Sequence, residues 1–109
     1  MRISFIDKKI EALCRDGKVA KKRLGAPAAK KLFLTLMELT ATDTVQNVSL
    51  GKPHTLKGSR AEQMSLRLSD KCRIVFIATP PKPEKQDGTT DWGKVMDVTI
   101  IEIGDYHDE

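Results

Sequence analysis

Two histidines and the cations between them are the residues of this chain best suited to chemistry. His54 stands in the segment Pro53-His54-Thr55-Leu56-Lys57-Gly58-Ser59-Arg60, and His107 stands near the end in Asp105-Tyr106-His107. Lys57, Arg60, Arg67 and Arg73 fall between them in the chain. Two imidazoles with several cations suit the cleavage of a phosphodiester. One ring takes a proton from an attacking hydroxyl and the other gives one to the leaving oxygen. The cations hold the phosphate and offset the charge that builds on its oxygens. An imidazole titrates near pH ~6.5, so both protonation states are accessible at neutral pH. Which histidine acts as acid and which as base is open at this level.

Other chemistries find less support. Cys14 and Cys72 are the only cysteines, and neither sits in a Cys-x-x-Cys or Cys/His ligand spacing, so no metal site is expected. Both read as core thiols with no neighbouring base to activate them. Thr55-Leu56-Lys57-Gly58-Ser59 lacks the glycines of a phosphate-binding loop, so no nucleotide cofactor is expected. Aromatic residues are 5% of the chain, too few for a large base-stacking platform.

With 109 residues, 39% hydrophobic and 31% charged, the chain reads as one globular domain over 1–109. No apolar run nears the roughly 20 residues needed to span a bilayer. Asp7-Lys8-Lys9 interrupts the apolar start that a signal peptide would need. A cytoplasmic protein is expected, with no membrane partner. The net charge of +4 is unevenly spread. Residues 1–34 carry ten basic and three acidic side chains, whereas residues 95–109 carry five acidic and no basic ones. A basic body with an acidic end can steer toward a polyanion without being uniformly adhesive.

The elements that must position these residues can be read from periodicity. Residues 2–6 form a short strand. Asp7 is a candidate N-cap for a helix with Ile10, Leu13 and Cys14 at helical spacing, ending at Gly17. Residues 19–27, VAKKRLGAP, read as too basic and too short to hold a core. Pro27 suits the first turn of a second helix over about 27–40, with an apolar stripe of Ala29, Leu32, Phe33, Leu36 and Met37. Residues 42–62 are loop-like. Strands come next at 63–69 and 73–78, joined by a three-residue turn, because only an odd turn keeps Met64, Leu66, Leu68, Ile74 and Phe76 on one face. Arg67 and Arg73 then share the other face. Residues 79–94 hold three of the five prolines and form a loop excursion in which Trp92 can fold back onto the body. Residues 95–103 form a central strand, apolar on both faces in its second half. The order predicts an α+β fold with two helices on a small, mainly antiparallel sheet.

Taken in order, Pro53-His54-Thr55-Leu56-Lys57-Gly58, the Cys72-Arg73-Ile74 strand and the closing Asp105-Tyr106-His107 resemble the HigB branch of the RelE/ParE toxin superfamily. The resemblance covers residues 1–78 and 95–109. It implies a RelE-like fold and the toxin of a type II toxin–antitoxin pair. Such toxins are ribosome-dependent messenger-RNA endonucleases. They cut in the decoding site without a metal or cofactor, by attack of a ribose 2′-hydroxyl on the adjacent phosphate. The resemblance assigns Lys57 and Arg73 to the scissile phosphate and lets His54 and His107 share acid and base work. Tyr106 would orient or stack on a base, and Asp105 would hold an imidazole or the 2′-hydroxyl. It also implies partners: a HigA-like helix-turn-helix antitoxin, the ribosome and its message, and operator DNA only through the antitoxin. Lys18, Lys21, Lys22, Arg23, Lys30, Lys31, Arg60 and Arg67 are the expected RNA and ribosome contacts. A gyrase-directed toxin of the same fold and a catalytically degenerate partner-binding protein are the alternatives.

Overall fold

The computed structural model describes residues 1–48 and 53–105. A five-stranded sheet carries three helices on one face. The strands are β1 (Arg2–Phe5), β2 (His54–Thr55), β3 (Met64–Arg67), β4 (Cys72–Ala78) and β5 (Asp97–Asp105), in the order β1-β5-β4-β3-β2. β1 pairs with β5 in parallel, and the other neighbours are antiparallel. The expected α+β class and mainly antiparallel sheet are what the structure shows.

The helices are α1 (Lys8–Arg15), α2 (Gly17–Leu24) and α3 (Ala26–Ala41). Asp7 caps α1 through its carboxylate, which accepts from the Ile10 amide at 2.8 Å. Residues 19–27, expected to be too short and basic to hold a core element, are mostly α2. The start signal there is Asp16, whose side chain accepts from the amides of Lys18 and Val19. Its cationic last turn, Lys21, Lys22 and Arg23, complements the negative end of the helix dipole. Those charges looked too dense for a core element, yet α2 needs to bury only Ala20.

α3 matches its expected span and part of its expected face, with Leu32 buried and Ala29 and Leu36 packed against the core. Ala28, Leu32, Thr35 and Leu39 are buried, while Phe33 and Met37 are 62% and 56% exposed. The helix is apolar around much of its circumference, so two overlapping stripes satisfy the same periodicity. Packing against β1 and α2 selects one of them. The core beneath holds Leu32, Leu39, Leu66, Ile74, Phe76 and Ile100, all nearly inaccessible. Cys72 is buried and Cys14 is half-buried, as expected of core thiols.

The β3–β4 hairpin has the odd turn. Leu66 lies opposite Ile74 and Arg67 opposite Arg73. The Leu68 amide donates to the Cys72 carbonyl at 2.8 Å, leaving Ser69, Asp70 and Lys71 as the turn. Trp92 does fold back, meeting Phe76 edge-on with ring centroids 6.0 Å apart. The excursion that carries Trp92 is anchored at Thr90, whose amide and hydroxyl both donate to Glu62.

β5 contains a bulge. Val75 pairs with Glu102, but the next residue, Phe76, pairs with Ile100, leaving Ile101 as the extra residue. Strict alternation from the buried Ile100 would turn Glu102 into the helix layer. The extra residue reverses the phase, so Ile103 packs toward the core and Glu102 faces away from the helices. No helix among the described residues is long and apolar enough to cross a membrane.

Candidate functional site

The helix-free face of the sheet collects the charged residues. Cross-strand register places His54 opposite Ser65, Ser65 opposite Val75 and Val75 opposite Glu102, which makes one row over four strands. At ~4.8 Å per strand the ends of that row are about 14 Å apart along the sheet. The neighbouring row holds Arg67, Arg73 and Gly104. Ser65 and Val75 are fully buried in the middle of the first row.

His54 is exposed on β2, the edge strand. The residues after it account for the spacing of the segment. Leu56 is buried and its amide donates to the Gln63 carbonyl at 3.0 Å, which pins the connection to the sheet. Lys57 then precedes a 3-10 turn, Gly58–Arg60, and stays exposed. Gly58 has φ +63, a left-handed conformation that costs a side-chain-bearing residue free energy. A Cβ there would meet nothing within 4 Å, so backbone conformation, not crowding, calls for glycine.

Arg60 and Arg73 converge on Glu102. Arg60 Nη2 donates to Glu102 Oε1 at 2.6 Å, and Arg60 Nε donates to Gln63 Oε1 at 2.7 Å. Arg73 Nη2 donates to Glu102 Oε2 at 3.4 Å. The Arg60–Glu102 link runs from the β2–β3 connection to β5, across β3 and β4. Arg73 is 3% exposed, and Glu102 gives this buried guanidinium a counter-charge. Arg67 lies directly opposite Arg73, an unfavourable pairing of like charges. It is relieved because Arg67 turns to Asp70 at 3.0 Å near the turn.

The structure therefore gathers His54, Arg60, Arg67 and Arg73 on one face, with Lys57 on the adjoining turn. It does not bring Lys18, Lys21, Lys22, Arg23, Lys30 and Lys31 to them. Those residues lie on α2 and α3, in the layer on the opposite face of the sheet. Asp105 ends β5 opposite Cys72, and its side chain is outside the described residues. Tyr106 and His107 also lie outside them.

Glu102 is the residue that sequence reasoning missed. It lies in Thr99-Ile100-Ile101-Glu102-Ile103, the half of the strand read as apolar on both faces. The spacing of Ile100 and Ile103 carried no signal by itself, because a strand apolar on both faces accommodates it without a bulge; only the pairing with β4 puts both on one face. Among the described residues, no group of three or more His, Cys, Asp or Glu side chains could hold a metal ion. A cleft of about 470 Å³, lined by Val45, Val48, Met64 and Trp92 among others, opens beside the excursion and away from the Arg60–Glu102–Arg73 cluster.

No protein-family model matches the chain, and no curated protein sequence matches it. Solved structures do. A YoeB/ParE toxin from Agrobacterium tumefaciens is similar with a TM-score of 0.61 and 18% identity, over 98% of this chain and 100% of that one. The YoeB dimer from Staphylococcus aureus is similar at a TM-score of 0.56 and 19% identity, over 99% of this chain and 98% of that one. The YoeB–YefM complex from the same organism is similar at 0.55 and 18%, over the same shares. The likeness is one of fold: this chain has the α+β architecture of the YoeB/ParE toxins.

Proposed function

We propose that this chain is the toxin of a type II toxin–antitoxin pair and an endoribonuclease of the HigB kind. It would cut messenger RNA in the ribosomal decoding site and so arrest translation and growth. The observation that carries this reading is the meeting of Arg60 and Arg73 at Glu102 on the helix-free face of a sheet with the YoeB/ParE fold, with His54 on the same face about 14 Å along it. An arrangement of exposed imidazole and paired guanidiniums suits a phosphodiester. The ribose 2′-hydroxyl attacks the adjacent phosphorus and the bond to the 5′-oxygen breaks. The products are a 2′,3′-cyclic phosphate and a 5′-hydroxyl. His54 and His107 exchange the two protons, one taken from the 2′-hydroxyl and one delivered to the departing 5′-oxygen. Lys57, Arg60 and Arg73 offset the charge on the equatorial oxygens, as preorganised cations do in a transition state. No step needs a metal. Tyr106 stacks on or orients a base beside the cut, and Asp105 orients an imidazole or the 2′-hydroxyl.

The partner that silences such a toxin is an antitoxin. The Staphylococcus aureus structure pairs YoeB with YefM, and this reading gives the present chain a partner of the same class, expected to be HigA-like and helix-turn-helix. The exposed cations of α2 and α3 are then left for ribosomal RNA or for the antitoxin.

The test is to map the 5′-ends of cellular messages after brief induction, for the wild type, His54→Ala and His107→Ala. New 5′-hydroxyl ends within translated frames, lost in either variant, are expected. Growth arrest without new ends in all three would overturn the reading and make gyrase the first target to test. No arrest at all would leave a partner-binding protein.

A further inference from the structure

We propose that Glu102 is a positioning residue of the cleavage site, holding the Arg60 and Arg73 guanidiniums side by side for the scissile phosphate. The proposal rests on the endonuclease reading above. One carboxylate serves both arginines, one oxygen each, at 2.6 Å and 3.4 Å. Gln63 fixes the plane of the Arg60 fork through Nε at 2.7 Å. A guanidinium has five N–H donors in a rigid plane that matches a phosphate, so its orientation decides what it can bind. Two cations drawn together on one face repel each other, and an anion that bridges them relieves that repulsion. Glu102 meets this need in the resting protein, and a substrate phosphate meets it in the complex.

Two further features fit this role. The bulge at Ile101 interrupts the β4–β5 ladder, and its effect is to turn Glu102 onto the helix-free face. Burial is graded as well. The side chains of Arg73, Arg60 and Glu102 are 4%, 32% and 37% exposed, so the carboxylate and Arg60 are accessible from solvent and Arg73 lies beneath. A phosphate arriving from solvent meets Arg60 first and competes with Glu102 for both guanidiniums.

A structural counter-ion and a positioning residue differ in what their removal does. Loss of a counter-ion lowers folding, binding and cleavage together. Loss of a positioning carboxylate removes a negative charge beside the phosphate, so anion binding tightens, while the guanidiniums lose their alignment and turnover falls. The experiment compares wild type, Glu102→Gln and Glu102→Asp as full chains, with folded fractions checked by circular dichroism. Binding is measured with a single-stranded 2′-deoxyoligonucleotide, which offers phosphates but no attacking hydroxyl. Cleavage is measured on message-programmed ribosomes, separating kcat from KM. Glu102→Gln is expected to bind the oligonucleotide about three- to tenfold tighter, the effect of one like charge removed near a surface site. Its kcat should fall ~100-fold without a rise in KM, and Glu102→Asp should recover most of that loss. Binding and cleavage that drop together with the folded fraction, or an unchanged kcat in Glu102→Gln, would overturn the proposal. If the wild type cuts no message, the endonuclease reading fails by itself. The oligonucleotide measurement then still decides whether Glu102 organises an anion site: tighter binding by Glu102→Gln supports it, and equal or weaker binding rejects it.

Discussion

Replacing Arg73 by Met should separate stability from activity. The guanidinium is buried, and its bond to Glu102 is long at 3.4 Å. The stronger link of Glu102 is to Arg60 at 2.6 Å. After Arg73→Met the carboxylate keeps Arg60 and remains 37% exposed, so Glu102 is not left as an unpaired buried charge. Replacing buried ion pairs by apolar side chains of similar volume is often neutral or stabilising by about 1–4 kcal/mol. Only one ion is removed here, so the expected gain is about 0–2 kcal/mol. Glu102→Ala breaks the same bond from the other side and takes a counter-charge from a buried guanidinium. That change should cost about 1–3 kcal/mol. At roughly 4 °C per kcal/mol, Arg73→Met should melt well above Glu102→Ala. Both variants should nevertheless lose cleavage by about a hundredfold or more, as expected when a charge-stabilising group is removed or misaligned. Thermal unfolding and ribosome-programmed cleavage of the two variants make the comparison. If Arg73→Met melts below Glu102→Ala, the reasoning about the buried charge is wrong. If Arg73→Met cleaves at the wild-type rate, the guanidinium has no part in the reaction.

Particular contacts set four other outcomes. Trp92→Ala removes the edge-on contact with Phe76 and should cost about 2 kcal/mol in denaturant unfolding, less than a fully buried tryptophan; no change would mean that the excursion adds nothing to the core. Burial pushes the Cys14 thiol from its ordinary 9.0 up to about 12, the neighbouring Arg15 opposing weakly. It should therefore alkylate slowly at pH 8 until urea unfolds the chain. Because the folded state holds this proton after the unfolded state has released it, stability should fall as pH rises above about 9. Glu62 is held below the usual carboxylate range, chiefly by the Thr90 hydroxyl and also by the Thr90 amide and Lys82, against a smaller effect of burial. A lowered folded pKa means that this support is complete above about 4.5 and is lost as pH falls through the folded value. Protection of the Thr90 amide, its exchange rate taken relative to the intrinsic rate at each pH, should fall in that acid range in the wild type, and unchanged protection would show that Glu62 does not anchor the excursion. Ribosome binding should weaken steeply with salt, since phosphate contacts release counterions; an affinity flat from low to moderate salt would remove the RNA contact.

Local signals carried much of the fold. Asp7 announces α1, and Pro27 lies at the start of α3. The alternation of Met64, Leu66, Ile74 and Phe76 required an odd turn because a register slip of one residue exposes every apolar side chain. That single inference is enough to put Arg67 and Arg73 on the same face. The helix α2 was missed because its charge density resembles a loop, and nothing local says that a lone Ala20 is enough to bury. β2 was missed because an edge strand of two residues has no periodicity to read.

The residue types at the candidate site are determined by the sequence alone. So are the spacing from His54 through Leu56 to Gly58, the α+β class and the cationic character of the face. The tertiary structure alone decided which of those cations meet. The α2 and α3 lysines read as part of one basic surface, yet the helix layer carries them to the far side of the sheet from Arg73. Arg60 was one of several candidate contacts until its long-range link to Glu102 joined it to Arg73. The phase of β5 is the clearest case. A strand's side chains alternate with a period of two, and the facing of Glu102 depends on one extra residue at Ile101. That insertion is set by pairing with β4, far earlier in the chain, where Phe76 has to meet Ile100 and Ile74 has to meet Ile103. No local pattern contains that constraint, because it arises only when two strands are packed under the same helices.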